Sequence, residues 1–421
     1  MSKPELLMPA GNLEKLEYAI KYGADAVYLG VVDFSLRSMR KGDVITFDNL
    51  KHAIDLARSL GAKAYLTLNI FAFNNDIENL EKSIDIIKDA NPNAIILSDF
   101  GVFRTVKKYM PTMPIHVSTQ ANTLNYEAVK FWQDNGAKRV ILARELPIAD
   151  VAQIRAKVPD IELEVFVHGS QCMSFSGRCL LSDYMTDNER KANQGNCSQP
   201  CRWEYALVER TRPDQVFEIN QTERGAHILS PKDLCLVEHL QKLIDAGVNS
   251  FKVEGRTKSL YYVSAVAKTY RNAIDEVVKN PNADLSKYLE ELKKVGNRGF
   301  TQGFYLGKND ETSYSYDVSK GLAGADFLCE FWEKSEIWVG DDFFKVKVKN
   351  KLRLNDEVEI ITPDEQFVSK VLEIKNEDGE SLELANTNDE LFIRFSQSPK
   401  EYKYALARTL GVLYINKKVK I

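Results

Sequence analysis

Four of the chain's six cysteines fall within thirty residues, in the stretches HGSQCMSFSGRC (168–179) and GNCSQPCRW (195–203). Their spacing is C-x6-C-x17-C-x3-C: Cys172, Cys179, Cys197 and Cys201. Thiols placed like this can form disulfides, ligate a metal or cluster, or supply a nucleophile. The first eighteen residues, MSKPELLMPAGNLEKLEY, hold no apolar run of signal-peptide length, and no segment approaches a membrane span. A cytoplasmic chain is therefore expected, and in a reducing compartment clustered thiols bind metal or react more often than they form structural disulfides. Zinc knuckles favour C-x2-C, where one tight turn offers both sulfurs to a single ion. Neither pair here has that spacing. An iron–sulfur cluster tolerates looser spacing, because the cluster itself spans the gap and each iron takes one thiolate. Cys235, in SPKDLCLVEHL, is a fifth candidate; it falls in an apolar helical pattern where a cysteine is usually a small core residue. Cys329, in the apolar FLCEF, reads as a buried thiol.

The neighbours suit either anionic sulfur or an anionic substrate. Ser170, Ser174, Ser176 and Gly177 would let backbone N–H groups approach sulfur, and such bonds help set a cluster's potential. Arg178 and Arg202 adjoin Cys179 and Cys201, where positive charge would stabilise a thiolate, hold an anion or pair with a carboxylate. His168 stands four residues before Cys172. It could act as a proton donor or acceptor, serve as base to a Ser170 or Cys172 nucleophile, or be a hydrogen-bonded structural histidine. No HExxH helix, nucleophile elbow or known cysteine-protease signature accompanies it.

Eight short apolar runs must position these groups: ELLMPAG (5–11), AVYLG (26–30), KAYLTLN (63–69), AIILSD (94–99), IHVSTQ (115–120), RVILARE (139–145), LEVFVHG (163–169) and FKVEGR (251–256). Between them lie stretches with apolar residues at three- and four-residue steps, such as NLKHAIDLARSLG and ADVAQIRAKV. Eight strand–helix alternations predict an α/β fold, a (β/α)8 TIM-like barrel over residues 1–329. The active site of such a barrel lies where its strands end. Here the strand ends carry Asn69, Ser98, Asp99, Ser118, Gln120, Arg144, Glu145, His168, Glu254 and Arg256. His168, Arg144, Glu254 and Arg256 are the catalytic candidates. The spacing breaks once, between strands seven and eight, where a Cys-rich insertion of about 170–250 holds all four clustered cysteines; a connection that long is usually functional. From 330 to 421 the pattern alternates between turns and predicts a small C-terminal antiparallel β-barrel. Its FKVKVKNKLR is either an RNA-facing strand or a solvated sheet face.

The formal charge of -4 excludes a strongly basic protein without excluding a local basic patch. Arg178, Arg202, Trp203 and Tyr205 by the cysteines, with Lys258 and Tyr261 after the last strand, would form such a patch for RNA.

EVFVHGSQCMSFSGRCLLS (164–182) resembles the signature of the peptidase U32 family, with Gln171 where an aliphatic residue is usual. The likeness runs through PELLMPAGNLEKLEYAIKYGADAVYLG, HVSTQAN, VKFWQDNGAKRVILAREL, NQGNCSQPCRWEY and SFKVEGRTKSLYYV, and is similar to the branch holding the tRNA-hydroxylation proteins. The resemblance implies hydroxylation of a tRNA wobble uridine to 5-hydroxyuridine, with prephenate as hydroxyl source. It also implies an iron–sulfur cluster, 4Fe-4S, on Cys172, Cys179, Cys197 and Cys201. Some relatives take a ligand from elsewhere, which keeps Cys235 open. The family was named for a collagenase activity. Three readings are open: an RNA hydroxylase, a peptidase acting on peptide bonds, and a non-catalytic RNA-binding protein stapled by a cluster.

Overall fold

The computed structural model describes residues 3–32, 34–35, 44–172, 174–175, 178–187, 189–190, 192, 197–203, 221–222, 225–226, 231–307, 322–335 and 342–411. Eight parallel strands form the first domain: β1 (Glu5–Pro9), β2 (Ala26–Gly30), β3 (Lys63–Leu68), β4 (Ala94–Leu97), β5 (Ile115–Val117), β6 (Arg139–Ile141), β7 (Glu162–Gly169) and β8 (Ser250–Val253). Each pairs with the next, and β8 pairs with both β7 and β1, which closes the barrel. The strands read as continuous apolar runs because both faces are covered, the outer one by helices.

Six helices follow the first six strands in turn: α1 (Leu13–Lys21), α2 (Phe47–Ser59), α3 (Asn74–Ala90), α4 (Phe100–Tyr109), α5 (Tyr126–Asp134) and α6 (Ile148–Lys157). Several begin at side-chain caps. The carboxamides of Asn12 and Asn125 accept from the Lys15 and Ala128 amides, and Asp99 accepts from Val102, each satisfying a backbone donor that a helix start leaves unpaired. The seventh position is taken by a short helix, α7 (Leu240–Asp245), so the insertion proper ends before it. The eighth is α8 (Leu260–Lys279), capped by Ser259.

Within the insertion a short strand, Asp233–Cys235, runs antiparallel along the end of β7 and places Cys235 opposite His168. The helical pattern expected around Cys235 is thus corrected. Asp233–Cys235 forms a strand first, between β7 and the short strand Phe300–Thr301, and the chain turns helical only from Val237; apolar runs this short do not separate the two states by periodicity.

The second domain is a closed six-stranded antiparallel barrel of β9 (Phe327–Lys334), β10 (Phe343–Val348), β11 (Glu357–Ile361), β12 (Gln366–Lys375), β13 (Glu390–Phe395) and β14 (Leu406–Thr409), in the spatial order β9-β10-β13-β12-β11-β14. Its first strand straddles the boundary placed at 329/330. Val346, Val348, Phe331, Phe395 and Ile393 fill its core. Lys345 and Lys349 are half-buried and pair with the exposed Glu377 and the buried Glu330. No helix among the described residues is long and apolar enough to cross a membrane.

Each barrel has its own core, and Ile361, Tyr404 and Leu406 of the second pack into that of the first. Between them Arg408, fully buried, donates to Glu359 at 2.8 Å, to the Tyr261 hydroxyl at 2.9 Å and to Glu291. Tyr22 donates from its hydroxyl to the carbonyl of Tyr404 at 2.7 Å. Removing one partner from such a group leaves charge uncompensated. Arg408→Ala is expected to cost about 3–5 kcal/mol in urea unfolding, more than a surface arginine such as Arg353 would.

Candidate active site at the barrel mouth

Alternation along β7 and β8 directs Glu164, Phe166 and Lys252 into the barrel; Phe166 and Lys252 line the floor of a cavity of about 350 Å³ at the strand ends, and Glu164 supports Lys252. Glu164 is completely buried and accepts from Lys252 Nζ at 3.0 Å and from Arg139 Nη1 at 2.9 Å. Arg139 also donates to Glu5 at 2.6 Å and Glu162 at 2.7 Å, and the Tyr65 hydroxyl donates to Glu5 at 2.8 Å. Burial opposes the Glu5 charge, yet the Arg139 guanidinium overrides it and holds that carboxyl below its usual range. For Lys252 burial dominates, and its amine sits below the usual lysine range despite Glu164. Reasoning from strand ends missed this floor; the usable signal was charged residues inside the apolar runs ELEVF and FKV.

Above the floor, two arginines flank the aromatic walls. Arg144 donates from Nη1 to the Ser170 carbonyl at 2.9 Å and lies 4.0 Å over the Phe166 ring. Its buried Nε has no hydrogen-bond partner among the described residues. Arg256 donates from Nη1 to Ser35 at 2.6 Å and Thr67 at 2.9 Å, beside the Tyr28 ring. Asn69, Ser118, Gln120 and Glu254 complete the polar wall, and Asn69 donates to Gln120 at 3.3 Å. Ser98 and Asp99 serve structure instead: Ser98 donates to the Asn69 carbonyl, and Asp99 caps α4.

All four clustered cysteines line this same cavity, with Ser174, Leu181, Ala192 and Pro200. Each is a free thiol, and Cys172 and Cys197 are exposed. The Gln199 amide donates to Cys197 Sγ at 3.3 Å, and Cys172 Sγ lies 3.6 Å from the Ser174 hydroxyl. Among the described residues no group of three or more His, Cys, Asp or Glu side chains is gathered closely enough for a metal ion. Four thiols around one cavity would fit an iron–sulfur cluster, which reaches across a wider gap than one ion does. Cys235 is not among the lining residues. It is buried beside the Tyr270 hydroxyl, and burial pushes its thiol up to about 12.

His168 belongs elsewhere than the sequence placed it. The β7–β8 register pairs Lys252 with Phe166 but Val253 with His168, so a bulge absorbs Val167. A bulge inverts the facing of the residues beyond it, and His168 turns out of the cavity with Val253. Its ring packs among Tyr262, Tyr270 and Phe300 and is 2 % exposed. Burial, with the charge of Lys258, holds its imidazole down to about 3. Lys258 likewise faces a separate cavity with Ser259, Asn297 and Arg298, its Nζ 5.1 Å over the Tyr262 ring. Arg178 is exposed and lies 5.4 Å over Phe71, off the cavity lining, and Trp203 is 39 % exposed. The side chain of Arg202, together with Ser176, Gly177 and Tyr205, lies outside the described residues.

The Peptidase family U32 model matches residues 11–315, and the Peptidase family U32 C-terminal domain model matches 324–408. The chain belongs to the peptidase U32 family. It is 37% identical to tRNA hydroxylation protein P of Escherichia coli K12, over 91% of this chain and 92% of that one. It is also 37% identical to tRNA hydroxylation protein P1 of Bacillus subtilis 168, over 96% and 94%. To the 23S rRNA 5-hydroxycytidine C2501 synthase of E. coli K12 it is 32% identical, over 76% of this chain and 46% of that protein.

Added methyl groups probe how tightly this U32 site is packed. A methyl at Gly30 would collide with Arg256 Nη1 and the Ser35 side chain, whereas one at Gly296 would meet nothing within 4 Å. Gly30→Ala should lose about 1–3 kcal/mol in urea unfolding, and Gly296→Ala less than about 0.5. For His168 the probe is pH. Between its ordinary 6.5 and about 3, the unfolded chain binds a proton that the folded chain refuses. Its stability contribution is therefore complete above pH 6.5 and falls as the pH drops. Urea midpoints from pH 7 to 4 should decline less steeply in His168→Phe, with buried His116 retaining part of the slope.

Proposed function

We propose that the chain is a tRNA-modifying hydroxylase that forms 5-hydroxyuridine at the wobble position, with an iron–sulfur cluster held by Cys172, Cys179, Cys197 and Cys201. One observation carries this reading: four free thiols line the same cavity as Arg144, Glu254 and Arg256, at the barrel end where such folds keep their active sites. The names of its full-length relatives supply the RNA and the reaction. When bound, a cluster would supply redox or Lewis-acid chemistry at the cavity mouth. The chain's own residues do the rest. Tyr28 and Phe166 offer apolar faces to a pyrimidine turned out of its loop. Arg144 and Arg256 take the carboxylates of the hydroxyl donor, which we assign to prephenate, and Glu254 is placed to move a proton in the cavity. Arg178 and Trp203 would meet the tRNA backbone and bases outside it; Lys258, facing another cavity, leaves that set.

A peptidase reading finds no histidine base for its nucleophile among the described lining residues. The His168 ring is packed against β7's outer neighbours, away from the cavity that Cys172 lines, and no histidine is among that cavity's described lining residues.

Protein purified without oxygen should be brown and contain iron and acid-labile sulfide, with colour lost in Cys172→Ala and Cys197→Ala. Mass spectrometry of tRNA nucleosides from a deletion strain should show 5-hydroxyuridine derivatives falling, with restoration by the wild-type chain and not by either variant. Unchanged derivatives, or colourless protein that cleaves gelatin, would overturn the assignment.

A further inference from the structure

Lys252 is a buried lysine whose side chain lines the cavity floor. Its Nζ lies 4.4 Å from the Tyr28 ring centroid and 5.6 Å from that of Phe166, and its carboxylate partner among the described residues, Glu164, is shared with Arg139. Arg144 covers the same Phe166 ring at 4.0 Å and keeps a buried Nε without a hydrogen-bond partner among the described residues. The cavity thus sets an amine and an unfilled guanidinium donor on one aromatic wall, with Ile96 and Ile141 adding apolar surface.

We infer that Lys252 captures the ketone of a small 2-oxo carboxylate as an imine, with Arg144 holding the carboxylate and Tyr28 and Phe166 the carbon body. The inference rests on the reading that this cavity takes a small carboxylate, and it adds a covalent step to it. Nζ, as the neutral amine, adds to the carbonyl carbon, and its two protons pass to the carbonyl oxygen, the first by way of Glu164, which takes it from nitrogen and gives it up again. The oxygen leaves as water, and a C=N bond replaces C=O with no change of oxidation state. An aliphatic amine attacks only when neutral, and burial favours that form at Lys252. A 2-oxo acid matches the cavity because its carboxylate adjoins its ketone, so one ligand reaches both the Arg144 guanidinium and the Lys252 amine.

The test uses the full chain, purified without oxygen, with phenylpyruvate as probe and cyanoborohydride as reductant. Hydride delivered to the imine carbon leaves a stable secondary amine. Peptide mapping should place one probe per chain on Lys252, with no label there after Lys252→Met and labelling slowed by about tenfold or more in Arg144→Met, the loss of a charge-assisted hydrogen bond. Because wild-type mapping locates the adduct directly, the result does not depend on a variant folding. Folded wild-type protein that carries no adduct at Lys252, or carries it only on surface lysines, overturns the inference. Trapping needs no tRNA. Its failure in protein that still restores 5-hydroxyuridine in cells removes only the imine, and loss of tRNA hydroxylation with trapping intact removes only the RNA reading.

Discussion

One buried carboxylate organises the first barrel. Glu164 on β7 accepts from Arg139 on β6 and Lys252 on β8, and Arg139 reaches across the interior to Glu5 on β1. The strands on either side of the β7–β8 junction are therefore tied by charge as well as by backbone hydrogen bonds. That junction carries the greatest demand, because the chain leaves β7 at Gly169 and must return to the same seam at Ser250. A buried ion network holds only if each charge keeps its partners, since a single deletion strands the rest. The network also fixes the groups above it: Lys252 directed upward, the Phe166 and Tyr28 rings beside it, then Arg144 and Arg256, then the thiols.

The bulge at Val167 separates structural from functional polar groups. Before it, inward positions carry Glu164 and Phe166; after it, His168 faces α8 while β8 continues into Glu254 and Arg256 at the cavity. Gly169, at φ +108, then turns the chain away where a side chain would strike the Glu254 carbonyl. The returning strand Asp233–Cys235 pairs back onto the outer end of β7, so the insertion is anchored where it leaves and again before it re-enters the barrel. Its cysteine-bearing part is thereby confined to the cavity mouth. The thiols there are exposed or half-buried, whereas Cys235 is buried and its burial pushes its thiol up.

Among the described residues the second barrel contributes nothing to the cavity lining, and its contacts fall on α1, α8 and the segment around Glu291 and Lys294. Arg408 joins Glu359 of its own domain to Glu291 and Tyr261 of the first. α8 therefore serves both sides. It covers β7 and β8, where Tyr262 donates to the Glu254 carbonyl at 3.0 Å and Tyr270 to that of Val167 at 2.8 Å, and it supports the second domain. The chemistry belongs to the first barrel, held by a helix the second one braces.

The sequence by itself determined the eight apolar runs, their order, the break after the seventh and the change to alternation near 330. These arise from local periodicity and length, which survive folding unchanged. It also singled out the four cysteines, Arg144, Glu254 and Arg256, because residue type and position at a strand end suffice once a closed barrel is assumed. The tertiary structure alone decided which polar residues face inward. A one-residue bulge leaves no mark in composition, yet it reverses the facing of His168. The pairing of Cys235 with β7 and the contact of Arg139 with Glu5 join residues far apart in the chain, and no local pattern encodes them. Lys252 looked like a strand residue among apolar neighbours, and only the closure of β8 against β7 and β1 made it the floor of the site.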